Sequence, residues 1–257
     1  MFIDSHAHLS LQIEGVHEEL LRAKEAKITA IMNICTDAVS LENGLLLAQE
    51  ISTPKIYNIA ATTPHDVEKD GEYFFPIVER MAKEKKLVAI GETGLDYYYE
   101  HAPRKLQQHY LRKYLQLAAQ LDLPVVIHCR DAWQDFFSIL DEENAVQKRK
   151  IRGVLHCFTG TLEDAKKVLE RGFYVSFSGI VTFPKSTQLK EVAQYVPQER
   201  LFIETDSPYL APQPVRGKKN EPAYVVEVAK VVAELKGISL EKLAESTTCN
   251  VVSLFNL

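Results

Sequence analysis

Short apolar, β-branched runs alternate along this chain with segments in which apolar residues return every three or four positions. The short runs have the length of buried strands, and the periodic segments have the pattern of helices that bury one face. Eight strands are predicted, at residues 2–4, 28–34, 56–61, 87–92, 124–129, 153–157, 174–179 and 200–205. Helices are predicted most clearly at residues 16–26, 102–120, 162–172, 221–235 and 239–255.

Strand–helix alternation repeated eight times in 257 residues is typical of a closed (β/α)8 barrel. The strands are apolar nearly throughout, as expected for parallel strands that are covered on both faces. A doubly wound open sheet is the alternative, but its usual glycine-rich turn is missing after the first strand. No linker, low-complexity segment or sequence repeat divides the chain. We therefore expect an α/β fold, a TIM barrel in which residues 1–257 form a single domain.

Composition and charge exclude several classes of protein. The net charge is −5, so the chain has no overall positive field, and a nucleic-acid partner would need local cations. No apolar run is long enough to span a bilayer, and Asp4 and His6 interrupt the stretch where a signal peptide would be apolar. The 4 cysteines lack the spacing of a disulfide scaffold. We expect a cytoplasmic protein with no membrane partner and no obligate protein partner.

Histidines and carboxylates recur where the predicted strands end. The carboxyl ends of all strands of a barrel meet at one mouth, where the chemistry of such folds lies. So many acid–base groups are costly to bury together unless a cation holds them. The sequence therefore predicts a metal centre at the mouth. The candidate ligands are His6, His8, Glu92, His128, His156 and Asp206.

The ligand types limit the identity and the number of the ions. Histidine nitrogen combined with carboxylate oxygen suits Zn²⁺, Mn²⁺ or Ni²⁺ better than Mg²⁺ or Ca²⁺. Six ligands exceed the three that a single catalytic zinc ion uses, whereas two ions about 3.5–4 Å apart, bridged by a carboxylate, would use all of them. Two divalent ions (Zn, Mn, Ni or Mg) are therefore the expected cofactors. Strand alternation is expected to turn the thiols of Cys129 and Cys157 away from the barrel axis, which excludes them as ligands.

With these residues in place, the chain resembles the TatD family of metal-dependent deoxyribonucleases, within the metal-dependent hydrolase superfamily. The resemblance implies a TIM barrel with a binuclear centre that hydrolyses phosphodiester bonds of DNA, often as a 3′-to-5′ exonuclease. It assigns His6, His8 and Asp206 to one ion and His128 and His156 to the second, with Glu92 as the bridge. The matching stretches are DSHAHL at 4–9, AIGETGLDYYY at 89–99, LPVVIHCRDA at 123–132, GVLHCFTG at 153–160, IETDSPYLAP at 203–212 and VRGKKNEP at 215–222.

One stretch departs from the family pattern. Where the family usually reads Gly-x-His-Pro-His, this chain has Ala-Thr-Thr-Pro-His at residues 61–65, and so lacks the glycine and the first histidine. His65 remains and is predicted to face the mouth as a substrate contact. The departure weakens inferences about substrate contacts near the third strand, but it leaves the six candidate ligands untouched.

The expected reaction is attack of a metal-activated hydroxide on phosphorus, which two cations would favour by acidifying a bound water and stabilising the developing oxyanions. Asp206 is expected to accept or orient the proton, and Glu92 to fix the distance between the ions. Glu204 lies two residues before Asp206, on the same face of the predicted eighth strand, and is a candidate proton relay, or alternatively a buried partner of a neighbouring loop.

Substrate contacts on an acidic protein require local cations and stacking surfaces. Arg130, next to His128, is expected to bind phosphate, and the aromatic residues 97–99 and Phe183 to stack on the bases of a single DNA strand end. Further phosphate contacts are predicted in the loop 215–220, at Arg216, Lys218 and Asn220.

Two other functions remain open on the sequence alone. One is an amidohydrolase-type barrel enzyme that acts on C–N, lactone or phosphotriester bonds, which the fold does not exclude. Such enzymes often carry a carboxylated lysine as the bridge, whereas the fourth strand here carries Glu92, which favours the nuclease. The other is a scaffold that binds metal or DNA without catalysis, which would have no need of a complete ligand set.

Overall fold

The computed structural model describes residues 1–11 and 13–257, and its eight parallel strands confirm the predicted barrel. The strands lie in one sheet in chain order, and helices alternate with them on the outside. The strands are β1 Phe2–Ala7, β2 Ile28–Cys35, β3 Lys55–Ala60, β4 Ala89–Asp96, β5 Val125–Arg130, β6 Gly153–Leu155, β7 Tyr174–Phe177 and β8 Leu201–Ile203. The helices are α1 Val16–Glu25, α2 Ala38–Glu50, α3 Val67–Lys83, α4 Arg104–Leu121, α5 Trp133–Gln147, α6 Leu162–Glu170, α7 Thr187–Tyr195, α8 Val225–Lys236 and α9 Leu240–Phe255.

The sheet closes between β1 and the segment that follows β8. The backbone N–H of Asp206 donates to the carbonyl oxygen of His6 at 2.9 Å, and the N–H of His8 donates to Ser207 at 2.8 Å. The buried carboxylate of Asp4 accepts a further hydrogen bond from the N–H of Thr205 at 2.9 Å. These bonds bring the ends of the first and last strands together at the mouth of the barrel.

The interior of the barrel is apolar at its amino-terminal end and polar at its mouth. Inward-facing residues such as Ile3, Met32 and Phe202 form a buried cluster, and Phe255 of α9 packs against it from below. A second and larger cluster lies between the outer face of the sheet and the helices. The apolar floor excludes water beneath the mouth, so polar side chains at the strand ends lie on a dry and packed base.

The fourth strand is longer than predicted. The sequence-based estimate ended it at residue 92, between Gly91 and Gly94, but β4 continues to Asp96 with a register shift between Ile90 and Thr93. Gly94 makes this continuation possible, because its φ is 152° and a Cβ there would overlap the carbonyl oxygen of His128. Only glycine allows β4 and β5 to approach this closely.

None of the helices in residues 1–11 and 13–257 combines the length and the apolar character that crossing a bilayer requires.

Replacement of Gly94 by alanine is expected to destabilise the barrel by about 2–5 kcal/mol, because backbone strain adds to a steric clash with β5. The measurement is urea unfolding followed by circular dichroism. Gly237→Ala is the matched control: Gly237 also has a positive φ, 64°, but a Cβ there would meet nothing within 4 Å. The control is expected to lose only about 1 kcal/mol. Equal losses in the two variants would contradict the steric argument.

Candidate metal centre

A cavity of about 590 Å³ opens at the carboxyl ends of the strands. His8, Glu92, His128, His156 and Asp206 line it, and His6 lies fully buried at its base. The six side chains come from β1, β4, β5 and the segments that follow β1, β6 and β8. The structure therefore brings all six predicted ligands together, although His6 and Asp206 are separated by most of the chain.

The first cluster of candidate ligands contains His6, His8 and Asp206. The Nε2 atoms of the two histidines lie 3.4 Å apart. Oδ1 of Asp206 lies 3.6 Å from Nε2 of His6 and 3.4 Å from Nε2 of His8. Oε2 of Glu92 completes the cluster, at 3.4 Å from His6 and 3.7 Å from His8.

The second cluster contains His128 and His156. Nδ1 of His128 lies 3.3 Å from Nε2 of His156. Oε1 of Glu92 lies 3.1 Å from Nδ1 of His128 and 2.9 Å from Nε2 of His156. The two oxygens of the Glu92 carboxylate thus face different clusters, as they would in a carboxylate that bridges two ions.

The spacing of these atoms fits divalent metal ions. Ligands held at about 2.1 Å from an ion lie about 3.0 Å apart at right angles and about 3.4 Å apart in a tetrahedron. The separations in the two clusters range from 2.9 Å to 3.7 Å. The donor types, imidazole nitrogen and carboxylate oxygen, are also those that zinc, manganese and nickel accept.

Charge interactions hold the carboxylates of the centre in their ionised form. Burial opposes ionisation, but the charge of His156 and a hydrogen bond from His128 keep the pKa of Glu92 well below its usual range. Burial also opposes charge on His156, but Glu92 and Glu204 raise the pKa of this ring well above its ordinary value. Burial lowers the pKa of His6, which favours its neutral, ligating form. The cluster attracts positive charge, which is what a cation site requires.

Glu204 is fully buried behind His156. It lies just beyond β8, so its position relative to Asp206 does not follow strand alternation as expected from the sequence. Its Oε1 accepts a hydrogen bond from the N–H of Cys157 at 2.6 Å and lies 3.5 Å from Nδ1 of His156. Glu204 therefore contacts both a neighbouring loop and a candidate ligand.

Sequence reasoning missed Asp96, which is fully buried at the end of β4. Its Oδ2 accepts a hydrogen bond from Nε2 of His128 at 3.0 Å. Burial opposes ionisation, but this bond and one from the N–H of Tyr99 lower the pKa of Asp96 to about 2. The sequence did contain a signal for Asp96. If β4 is continued through the glycines, residues 92 and 96 lie on the same strand face.

The predicted substrate contacts His65 and Arg130 both line the cavity. Nε2 of His65 lies 3.6 Å from Oδ2 of Asp96. The guanidinium of Arg130 stacks over the ring of Tyr98, 3.8 Å from its centroid, and lies 4.8 Å from that of Tyr99. This arrangement forms one wall that carries a cation and two exposed aromatic rings.

The loop 215–220 is placed differently from the sequence-based expectation. Arg216 and Lys218 are exposed and do not line the cavity; Arg216 stacks on Phe183 at 4.2 Å from its centroid. Asn220 is fully buried, and its side-chain amide donates to the carbonyl oxygens of Thr205 and Tyr209. The prediction of Asn220 as a substrate contact is therefore corrected, since its side chain is committed to holding the backbone next to Asp206.

Cys129 and Cys157 lie next to candidate ligands but do not join them. Cys129 packs in the outer core, yet both Cys129 and Cys157 border the cavity. Alternation does not apply to Cys157, because it lies after the end of β6, and its Sγ lies 3.2 Å from Oγ of Ser178. In the part of the chain that the structure describes, neither thiol belongs to a cluster of candidate ligands.

Comparison with known proteins identifies the family of this chain. The model of the TatD related DNase family matches residues 3–256. The chain belongs to this family. The uncharacterized metal-dependent hydrolase YcfH of Escherichia coli strain K12 is 40% identical over 256 residues, covering 99% of this chain and 96% of the relative. The 3′-5′ ssDNA/RNA exonuclease TatD of Citrobacter rodentium is 34% identical, covering 96% of this chain and 95% of the relative.

A solved structure gives the same fold assignment. The crystal structure of YjjV, a TatD homologue from Escherichia coli K12, superposes with a TM-score of 0.91 at 27% identity, covering 100% of this chain and 98% of that chain. The barrel described above is therefore the fold of a TatD homologue over its whole length. This likeness supports the predicted family and its TIM barrel.

Binding of Zn²⁺ to this TatD-family chain at pH 7 is expected to release protons. His156 has a raised pKa, so its ring is protonated before binding and must lose its proton to become a ligand. The apparent affinity is therefore expected to fall as the pH falls. Calorimetry in two buffers of different ionisation enthalpy measures the released protons, and His156→Asn is expected to reduce their number. A binding heat that does not depend on the buffer would contradict this expectation.

Proposed function

We propose that this chain is a metal-dependent nuclease that hydrolyses phosphodiester bonds of single-stranded DNA, beginning at the 3′ end. The observation that carries the proposal is the position of Glu92, whose two carboxylate oxygens face two adjoining groups of histidines. Such a pair of sites suits the displacement of an oxygen from phosphorus, in which charge develops on both the attacking and the leaving atom.

His6, His8 and Asp206 would hold one divalent ion, His128 and His156 the second, and Glu92 both. When bound, the two ions would supply positive charge that acidifies water and stabilises oxyanions. Zn²⁺, Mn²⁺ and Ni²⁺ match these donors best.

Asp206 is the group that would accept a proton from the attacking water. Burial opposes its ionisation, but a hydrogen bond from His8 and the charge of the surrounding histidines, His156 among them, keep the pKa of Asp206 below its ordinary value. Its carboxylate is therefore ionised at neutral pH and borders the cavity. Glu204 would act from behind His156, by fixing the ring through Nδ1.

The walls of the cavity favour a flexible strand end over a duplex. A volume of about 590 Å³ is within the range of small-ligand sites, which a strand end can enter and a duplex cannot. Arg130 offers one phosphate contact, and Tyr98 and Tyr99 offer exposed rings on which bases can stack. His65 lies where it can contact a phosphate oxygen or a sugar hydroxyl. RNA belongs among the test substrates, because the Citrobacter relative is named an ssDNA/RNA exonuclease.

The decisive experiment incubates metal-loaded protein with 5′-labelled single-stranded DNA, duplex DNA and RNA, and in parallel with panels of amides and lactones. Progressive shortening of single strands from the 3′ end is expected. Glu92→Ala is expected to reduce cleavage by more than about 100-fold. Loss of a residue that hydrogen-bonds to a metal ligand typically costs about 10–100-fold, and loss of a ligand itself is expected to cost more. Glu79→Ala, on the surface of α3, is the matched control for the substitution.

Turnover of amides or lactones without cleavage of nucleic acid would favour the amidohydrolase alternative. Binding of DNA without any turnover would favour the scaffold. Either result would overturn the proposed nuclease.

Replacement of Arg130 by alanine is expected to raise the KM for single-stranded DNA about 10–100-fold, with a smaller effect on kcat, because a charged hydrogen bond to phosphate contributes about 1.5–3 kcal/mol. Steady-state kinetics at two salt concentrations provide the measurement, and the KM of the variant is expected to depend less steeply on salt. Arg112→Ala removes a cation that pairs with Glu142 and Glu143 outside the cavity, and serves as the control. Equal KM values for Arg130→Ala and the parent chain would exclude the proposed contact.

A further inference from the structure

We infer that Asp96 is a positioning residue that fixes which nitrogen of His128 carries the proton, and thereby leaves Nδ1 free to bind the second ion. The inference rests on the proposed two-ion centre and adds to it a residue that touches neither ion nor substrate. Its basis is the pair of contacts on opposite sides of the His128 ring.

The two nitrogens of His128 face two carboxylates. Nε2 lies 3.0 Å from Oδ2 of Asp96, and Nδ1 lies 3.1 Å from Oε1 of Glu92. An ionised carboxylate only accepts hydrogen bonds, so the bond to Asp96 requires a proton on Nε2. A neutral ring with its proton on Nε2 has its lone pair on Nδ1, which is the nitrogen that faces Glu92 and His156.

The other oxygen of Asp96 fixes the carboxylate in this orientation. Oδ1 accepts hydrogen bonds from the N–H groups of Tyr98 at 2.9 Å and Tyr99 at 2.8 Å. The same carboxylate therefore joins the second ligand cluster to the turn that carries the aromatic wall. Because Asp96 is fully buried, neither oxygen can exchange these partners for water.

The backbone of Asp96 is held independently of its side chain. The side-chain amide of Gln107 accepts from the N–H of Asp96 at 2.8 Å and donates to its carbonyl oxygen at 3.1 Å. Substitution of the carboxylate by an amide of the same size is therefore expected to leave the end of β4 in place. This makes Asp96→Asn a test of proton position rather than of folding.

Asp96→Asn is expected to be more harmful than Asp96→Ala if Asp96 fixes the proton of His128, and less harmful if Asp96 has only a structural role. In Asp96→Asn, the amide oxygen is retained by the two tyrosine N–H donors, so the amide NH₂ faces Nε2 of His128 and requires it to accept. The ring proton then moves to Nδ1, which no longer binds metal. In Asp96→Ala the ring is released but keeps access to the ligating tautomer. If Asp96 served only packing and the turn, asparagine would be the milder change.

The experiment uses the full chain, freed of metal and titrated with Zn²⁺, with stoichiometry and affinity measured by calorimetry and elemental analysis. The parent chain is expected to bind two ions. Asp96→Ala is expected to bind the second ion about 10–100-fold more weakly, and Asp96→Asn at least about 10-fold more weakly again, with the first ion retained in both. Asp135→Asn, which alters a carboxylate bonded to Tyr97 and Gln108, is the control and is expected to keep both ions.

A second readout follows the proton directly. Two-bond ¹H–¹⁵N correlations are measured on metal-free Glu92→Ala, which removes the competing acceptor at Nδ1, at a pH at which the ring is neutral. The His128 proton is expected on Nε2 when Asp96 is present and on Nδ1 when Asp96→Asn is added. His128→Gln identifies the signal. An unchanged tautomer, or asparagine milder than alanine, would overturn the inference. The inference would also be overturned if the parent chain bound a third Zn²⁺ and His65→Ala did not. The cluster of His65, Asp96 and His128 would then be an ion site. The proton position does not depend on DNA cleavage, so failure of the nuclease proposal is detected separately.

Discussion

Closure of the barrel between its first and last strands is the constraint on which the candidate metal centre depends. His6 and Asp206 are far apart in sequence, and the hydrogen bond from the N–H of Asp206 to the carbonyl oxygen of His6 makes them neighbours. The buried Asp4 carboxylate reinforces this junction through the N–H and hydroxyl of Thr205. If this junction opened, the first ligand cluster would lose one of its two walls, whereas the second would keep its β4–β5 support.

Charge complementarity explains why so polar a mouth is tolerated on an apolar barrel. Four imidazoles, of which only that of His128 is partly exposed, meet two buried carboxylates at one point. The carboxylates are ionised because the imidazoles surround them. Burial penalises each of these groups individually. The arrangement therefore gains most when cations occupy the space between the ligand atoms, which links metal binding to the stability of the mouth.

Two features of the cavity lining distinguish this chain. On the arginine side, Arg130 stacks on Tyr98 and Tyr99. Thr63, which also lines the cavity, stands where the family usually has a histidine, and its hydroxyl donates to Asp66 at 2.8 Å. Asp96 connects the arginine side to the metal centre, because it bonds both His128 and the turn at Tyr98.

The sequence by itself determined the strand number, the fold class and the six candidate ligands. The periodicity of strands and helices is a local property of the sequence. Polar residues at the ends of apolar runs, such as His128, can therefore be recognised without tertiary information. The tertiary structure alone revealed the contacts of Asp96 and Asn220. Asp96 was hidden because β4 continues through glycines that usually end a strand, and Gly94 is needed there by the close approach of β5. Asn220 resembled a surface loop residue, but its amide is buried against the backbone beside Asp206. The positions of Asp96 and Asn220 both depend on contacts between distant segments, which cannot be predicted from the periodicity of either segment.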